Sequence, residues 1–173
     1  MKSYKNKQLI VGADSSGFFL KEKVVAHLKT QGWEITDLGV TSKENMYDKD
    51  NAFQRVGFRV GAKISEGEFD RALLFCGTGM GIHIAVSKCP RVHAGVVESV
   101  KAGLRAITGN GVNALAMGAF YVDEKTACNI ADAYLSAELG DGYDEDFYIS
   151  HKQAMDEIET FDYQKYKENG FQI

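Results

Sequence analysis

Near the middle of the chain stands the stretch Cys76-Gly77-Thr78-Gly79-Met80-Gly81, and the rest of the fold is best interpreted outward from it. It directly follows a short apolar run, 72–75, whose length favours a buried strand over a helix. Apolar residues at helical spacing follow it, over 80–86. We therefore predict that this stretch joins the carboxyl end of a strand to the amino end of a helix.

Several polar groups meet in this stretch. Its glycines, Gly77, Gly79 and Gly81, allow a sharp turn and bring backbone N–H groups close to a ligand. The thiol of Cys76 is expected beside the positive end of the helix dipole, where a thiolate is favoured, and Thr78 adds a hydroxyl. Such a set can move a proton and hold an oxyanion. A purely structural turn and a phosphate-binding loop are the alternatives, although the glycine spacing matches neither the dinucleotide fingerprint nor the Walker loop.

The other apolar segments alternate between strand-like and helix-like patterns. Strands are predicted at 8–13, 33–38, 72–75, 93–97 and 114–117, and helices at 20–28, 52–64, 80–86, 100–107 and 126–135. A polar loop over 39–51 carries Tyr47. Because strands that alternate with helices form parallel sheets covered on both faces, we expect an α/β protein. Its predicted architecture is a Rossmann-like three-layer αβα sandwich with a five-stranded parallel sheet.

The composition changes after Gly140. The acidic run Asp141-Gly142-Tyr143-Asp144-Glu145-Asp146 is interpreted as a solvated loop, and a lysine-rich, aromatic tail follows it. Aromatic side chains are poorly placed in solvent. We therefore predict a single α/β domain at 1–140 and a C-terminal extension at 141–173 that packs on this domain or on a partner subunit.

Composition excludes several classes of protein. A formal net charge of -4 over 173 residues argues against nucleic acid as a partner. The three cysteines do not suggest a disulfide framework, and together with the four histidines they show no metal-ligand spacing. The lysines at the amino terminus precede an apolar run that Asp14 interrupts, which makes a poor signal peptide, and no apolar segment is long enough to span a bilayer. We expect a cytoplasmic protein without a metal or cofactor and without a membrane partner.

Three segments together identify a family: Gly12-Ala13-Asp14-Ser15-Ser16-Gly17, Cys76-Gly77-Thr78-Gly79-Met80-Gly81 and Asn110-Gly111-Val112-Asn113-Ala114-Leu115-Ala116-Met117-Gly118. From about Gln8 to Leu135 the chain resembles the type B ribose-5-phosphate isomerases and the related galactose-6-phosphate isomerase subunits. The resemblance implies interconversion of aldose and ketose sugar phosphates through a cis-enediolate, without metal or cofactor. It also implies a homodimer with its sites at the subunit interface.

The resemblance assigns roles to individual residues. Cys76 is implied to be the base that moves a proton between C1 and C2, and Thr78 is implied to assist proton transfer to the sugar oxygens. Asp14 and Asn110 are implied to bind substrate oxygens and complete the catalytic set. The expected substrate-binding residues are Ser15, Tyr47, Gly77, Gly79, Met80, Gly81, His151 and Lys152.

The chain departs from the family pattern in the part of the site that opens a sugar ring and grips phosphate. Ser15 and Gly109 stand where the family usually carries histidines, the second of which is its ring-opening acid and base. Ile107 replaces an arginine, and near the carboxyl end His151 and Lys152 stand where arginines would grip phosphate. The residues for proton transfer are retained, whereas those for ring opening are changed.

These departures predict an aldose-ketose isomerase with an altered substrate. A four-carbon sugar with an anion on C4 cannot close a five-membered ring, so it needs no ring-opening histidine. The favoured substrate is therefore a small anionic sugar of this kind, 4-deoxy-4-sulfoerythrulose or erythrulose 4-phosphate, and the choice between sulfonate and phosphate stays open. The alternatives are a ribose 5-phosphate isomerase and a non-catalytic sugar-phosphate sensor, although a sensor has no need of a base such as Cys76.

Overall fold

A computed structural model of the chain describes residues 7–172, so the predictions that concern Met1–Asn6 and Ile173 lie outside the described residues. Within this range the strands are β1 (Gln8–Ala13), β2 (Glu34–Asp37), β3 (Ala72–Cys76), β4 (Ala94–Val96) and β5 (Ala114–Gly118). All pair in parallel, in the spatial order β2-β1-β3-β5-β4. The five-stranded parallel sheet is therefore confirmed.

Helices cover both faces of this sheet. They are α1 (Phe18–Thr30), α2 (Phe53–Ser65), α3 (Met80–Val86), α4 (Val100–Thr108), α5 (Glu124–Leu135), α6 (Glu145–Thr160) and α7 (Tyr163–Glu168), and a short 3₁₀ turn at Lys49–Asn51 lies in the predicted loop. Strands β3 and β5 are buried along their whole length, and successive side chains of a strand point to opposite faces. Leu73 and Phe75 accordingly pack with α1, α4 and α5, while Leu74 packs with α2 and α3. This arrangement confirms the predicted three-layer αβα sandwich.

The strand order places a crevice at one edge of the sheet. From β1 the chain first moves outward to β2 and then returns to β3 on the other side of β1, so the order reverses between β1 and β3. In open α/β sheets, ligands bind outside the carboxyl ends of the strands at such a point. Ala13 pairs with Phe75 there, which brings the residues that follow β1 close to the end of β3.

The tail after Gly140 contains two helices that the sequence pattern did not predict. Neither α6 nor α7 contains a buried residue. The apolar residues Phe147, Met155 and Ile158 do recur at helical spacing in α6, but the sequence interpretation did not use this pattern. The interpretation of the acidic run as a solvated loop is wrong at its end, because Glu145 and Asp146 form the first turn of α6. Acidic side chains are favoured there by the helix dipole. None of the helices in residues 7–172 combines the length and the apolar character that crossing a membrane requires.

Candidate active site

The crevice between β1 and β3 brings together Asp14 and Cys76. The Cys76 thiol donates a hydrogen bond to Asp14 Oδ2 at 3.1 Å, and Asp14 Oδ1 accepts one from the backbone N–H of Gly17 at 2.9 Å. Only 8% of Asp14 and 7% of Cys76 are exposed. Cys76 was predicted in the loop but is the last residue of β3. The sheet therefore holds the thiol and the carboxylate in a fixed mutual position.

The environment of Cys76 favours a thiol over a thiolate. Burial raises the pKa of Cys76 most, and the hydrogen bond and the negative charge of Asp14 raise it further. The backbone N–H groups of Ile82 and Gly79 hydrogen-bond to the sulfur and lower this pKa, but by less. The prediction that the helix dipole favours a thiolate is therefore wrong for the resting site, because burial and the adjacent carboxylate together outweigh the backbone N–H groups of Gly79 and Ile82. At rest the pair is a thiol beside a carboxylate.

The loop after Cys76 is shaped by close packing as well as by its turn. Gly79 has φ of 76°, in the left-handed region that favours glycine, and it lies directly before α3. A β-carbon on Gly77 would come within 2.6 Å of the Phe120 ring, and one on Gly81 within 2.9 Å of Phe53. Thr78 accepts a hydrogen bond from the Met80 N–H at 3.3 Å. These contacts keep the loop backbone close to the thiol.

The surface around this loop is apolar. Its exposed side chains are Phe53, Met80, Ile84, Phe120 and Tyr121, each with 42% or more of its surface open to solvent. Exposed apolar groups of this size are typical of an interface. Of the other predicted substrate-binding residues, Ser15 directly follows Asp14 and is half-buried, whereas Tyr47 is 85% exposed in the loop before α2.

Asn110 lies at the opposite edge of the sheet. It precedes β5, whose first residue Ala114 pairs with Ala72 at the start of β3, whereas Cys76 at the end of β3 pairs with Gly118. A strand rises about 3.3 Å per residue, so the two edges are roughly 13 Å apart along β3 alone. A single chain therefore does not bring Asn110 to Cys76.

A second group of polar side chains surrounds Asn110. Its side-chain amide donates to the carbonyl oxygen of Arg105 at 3.3 Å, and Arg105 Nη1 donates to the Tyr143 hydroxyl. The guanidinium carbon of Arg105 also lies 4.9 Å from the Tyr143 ring centroid. Gly109 is buried beside them, and a β-carbon there would lie 3.5 Å from the Tyr143 hydroxyl. The tyrosine therefore borders the space that a side chain at position 109 would enter.

The predicted residues His151 and Lys152 belong to this second edge. Tyr143 stacks on Phe147 with ring centroids 3.5 Å apart, and Phe147 stacks on His151 at 3.6 Å. Lys152 lines a cleft of about 550 Å³, whose lining also includes Tyr143 and the acidic side chains Glu138, Asp141, Asp144 and Glu145. Sequence reasoning missed Arg105 and Tyr143. The available signal was that Arg105 precedes Gly109 by one helical turn, on the same helix face.

No group of three His, Cys, Asp or Glu side chains within residues 7–172 converges as a metal site.

Comparison with known proteins gives concordant results. A model of the family described as Ribose/Galactose Isomerase matches residues 9–158. The chain is 34% identical over 161 residues to 4-deoxy-4-sulfo-D-erythrose isomerase from Clostridium sp. (strain MSTE9), covering 91% of this chain and 99% of that protein. It is 32% identical over 152 residues to ribose-5-phosphate isomerase B from Escherichia coli (strain K12), covering 88% and 94% of the two chains. The structure of ribose-5-phosphate isomerase B from Mycoplasma genitalium with bound ribulose-5-phosphate superposes with a TM-score of 0.75 at 27% identity, over 87% of this chain and 93% of that one.

Proposed function

The chain belongs to the ribose/galactose isomerase family and is an aldose-ketose sugar isomerase, and we propose that its substrate is an acyclic four-carbon sugar with a terminal sulfonate or phosphate. The observation that carries the proposed chemistry is the buried contact between Cys76 and Asp14. It places an acid-base pair beside backbone N–H groups, which is what a proton transfer through an enediolate requires.

In the proposed mechanism, Cys76 and Asp14 act as one unit. At rest they share one proton and one negative charge. Transfer of the thiol proton to Asp14 across the 3.1 Å contact yields a thiolate without changing the total charge. The thiolate then takes a proton from the substrate carbon beside the carbonyl, and the electron pair left behind forms the enediolate. The negative charge thus moves from the protein to a substrate oxygen.

The second half of the reaction reverses these transfers at the neighbouring carbon. The Cys76 thiol gives its proton to that carbon, while a proton passes from one substrate oxygen to the other with the assistance of Thr78. Asp14 then returns its proton to the thiolate and restores the resting pair. Backbone N–H groups of the loop stabilise the enediolate in between, because preorganised donors favour an oxyanion over a neutral carbonyl. Neither a metal nor a cofactor is needed for this sequence of steps.

The proposed substrate follows from what surrounds Gly109. Glycine offers no group that could donate or accept a proton for ring opening, and the neighbouring Tyr143 hydroxyl limits the room there. A four-carbon sugar whose C4 oxygen is blocked or replaced cannot form a five-membered ring. Its isomerisation therefore does not require a ring-opening side chain at position 109. The 34% identity with an isomerase of 4-deoxy-4-sulfo-D-erythrose supports the same assignment.

We further infer that the working unit is a homodimer in which each site takes Cys76 from one chain and Asn110 from the other. The two residues lie at opposite edges of one sheet, so two chains are needed to unite them. The apolar surface around the Cys76 loop and the tail helices, which bury no residue on their own domain, provide area for such an interface.

The assignment is tested by comparing specificity constants for 4-deoxy-4-sulfoerythrulose, erythrulose 4-phosphate and ribose 5-phosphate. Reactions run in heavy water and analysed by mass report deuterium incorporated at C1 or C2. We expect the four-carbon substrates to exceed ribose 5-phosphate by tenfold or more. The reverse order would establish the alternative, a ribose 5-phosphate isomerase, and would show that another residue opens the ring. A protein that binds these sugars without exchanging any deuterium would be a sensor.

A further inference from the structure

The edge of the sheet around Asn110 carries a pair of side chains that the proton-transfer mechanism does not use, Arg105 and Tyr143. We propose that this pair is the subsite for the terminal anion of the substrate, and that it is matched to a singly charged group such as a sulfonate. The proposal rests on the proposed function, because it assumes that this edge completes a site with Cys76 of a second chain. Four observations support it: the free hydrogen-bond donors of the pair, the residues beside it, the aromatic stacking that positions it and the charge of the adjoining cleft.

The pair presents hydrogen-bond donors that nothing nearby satisfies. Arg105 is exposed, and among residues 7–172 it forms no ion pair with a carboxylate. One of its five N–H groups donates to the oxygen of Tyr143, so that oxygen acts as an acceptor in this contact. The phenolic proton remains to be donated elsewhere, and within the described part of the chain no acceptor receives it. Guanidinium and phenol can therefore both donate to one incoming oxyanion.

These donors lie next to Asn110, a predicted substrate-binding residue. Asn110, which is expected to bind a substrate oxygen, donates its amide to the carbonyl oxygen of Arg105. The same carbonyl lies 3.3 Å from the place of a β-carbon on Gly109, and the Tyr143 hydroxyl lies 3.5 Å from it. Arg105, Asn110 and Tyr143 thus lie together around Gly109. A sugar held by Asn110 has its other end within reach of the pair.

Aromatic stacking positions the pair. Tyr143 is stacked on Phe147 with an angle of 4° between the rings, and Phe147 is stacked on His151 with an angle of 19°. The guanidinium carbon of Arg105 lies 4.9 Å from the centroid of the Tyr143 ring. Preorganised donors lose little conformational entropy when they bind a ligand. His151 accordingly supports the tyrosine ring, and this explains its place one helical turn beyond Phe147.

The charge around the pair favours one negative charge over two. The adjoining cleft is lined by Glu138, Asp141, Asp144 and Glu145, with Lys152 as its basic residue. Glu138 is paired with Arg71 at 2.8 Å, so Asp141, Asp144 and Glu145 are the carboxylates that act on a bound anion. A phosphate monoester carries about 1.5 to 2 negative charges at neutral pH, and these carboxylates repel it more strongly than a sulfonate with a single charge. The single positive charge of the Arg105 guanidinium can balance a single negative charge. The subsite therefore selects sulfonate over phosphate.

The experiment compares Arg105→Gln and Tyr143→Phe with wild type on three ketoses: 4-deoxy-4-sulfoerythrulose, erythrulose 4-phosphate and free erythrulose, which has no terminal anion. Arg55→Gln, which removes an exposed guanidinium from α2, is the matched control. Deuterium incorporation over hours makes slow turnover of free erythrulose measurable. Arg105→Gln should lower kcat/KM for the sulfonate by about 10–100-fold, mainly through KM, and Tyr143→Phe by roughly tenfold, as loss of hydrogen bonds to a charged group predicts.

Free erythrulose separates anion binding from a structural role. Its turnover should stay within about twofold of wild type in both variants, because it makes no contact with the subsite. Equal losses for charged and neutral ketoses, or none in either variant, would overturn the proposal. A wild-type protein that prefers the phosphate would refute the match to a single charge. If wild type exchanges deuterium into none of the sugars, the proposed function itself fails, whereas active variants indistinguishable from wild type refute the subsite alone.

Discussion

Replacement of Asp14 by asparagine tests the acid-base pair most directly. Asparagine has nearly the same shape, and its side-chain oxygen can still accept from the Gly17 N–H. The substitution removes the negative charge beside the thiol and removes the group that receives its proton. The substitution should therefore increase the reactivity of the Cys76 thiol and decrease the isomerase activity. The thiol of Cys76 becomes easier to ionise, and the enzyme becomes less active.

The size of the first effect can be worked out from the 3.1 Å contact. Two unit charges at this distance interact by about 1 kcal/mol in water and by about 5 kcal/mol at an effective dielectric constant near 20. One pKa unit corresponds to about 1.4 kcal/mol. Because the Asp14 charge and hydrogen bond both raise the pKa of Cys76, Asp14→Asn should lower that pKa. Loss of the proton acceptor should reduce kcat/KM at neutral pH by about 100-fold.

Alkylation by iodoacetamide as a function of pH measures the first effect, with the labelled peptides identified by mass. Burial raises the pKa values of Cys89 and Cys128 as well, and these two thiols serve as internal controls that the substitution should leave unchanged. We expect Cys76 in Asp14→Asn to react at lower pH than in wild type while isomerisation falls. A variant that retains full activity, or whose Cys76 needs a higher pH to react, would refute the paired mechanism.

Two further predictions concern the base and the assembly. Cys76→Ala should fold normally and lose about 10²–10⁴-fold in kcat/KM, whereas Thr78→Ala should lose less, since its hydroxyl only assists the proton transfer. Circular dichroism checks the fold, and steady-state rates on the preferred ketose check the activity. If Cys76→Ala keeps activity within a few-fold of wild type, Cys76 is not the base. Inactive Cys76→Ala and Asn110→Ala chains, unfolded and refolded together in equal amounts, should recover about a quarter of wild-type activity, because half of the symmetric dimers then hold one intact site. No recovery on mixing, with each variant refolding alone as a dimer, would contradict a site shared between chains.

The fold was predictable because its signals are local. Strand β3 is buried along its whole length and appears in the sequence as an uninterrupted apolar run. The glycines after it mark the turn into α3, and the alternation of strands with helices predicts the parallel sheet. The helices of the tail were not predicted, because the acidic run before α6 indicated a solvated loop, although Phe147, Met155 and Ile158 recur at helical spacing in α6.

The resemblance named Asp14 and Cys76 as site residues, but the sequence did not indicate the contact between them. Asp14 and Cys76 are 62 positions apart, so the charge that raises the pKa of the thiol could not be weighed from the hexapeptide and its helix alone. Arg105 and Tyr143 are 38 positions apart and meet only because the chain turns back after α5. No sequence motif indicates this contact.

The separation of the two edges explains how an isomerase of this kind changes its substrate. In the proposed dimer, Cys76 and Asp14 carry out the proton transfer from one edge of the sheet, while Arg105 and Tyr143 select the anion from the opposite edge of the partner subunit. The two pairs share no contact within a chain, so substitutions in one leave the geometry of the other unchanged. Distant sites of this kind are expected to act additively. A new terminal anion can therefore be accepted by altering residues near Gly109 and on α6, with the acid-base pair retained.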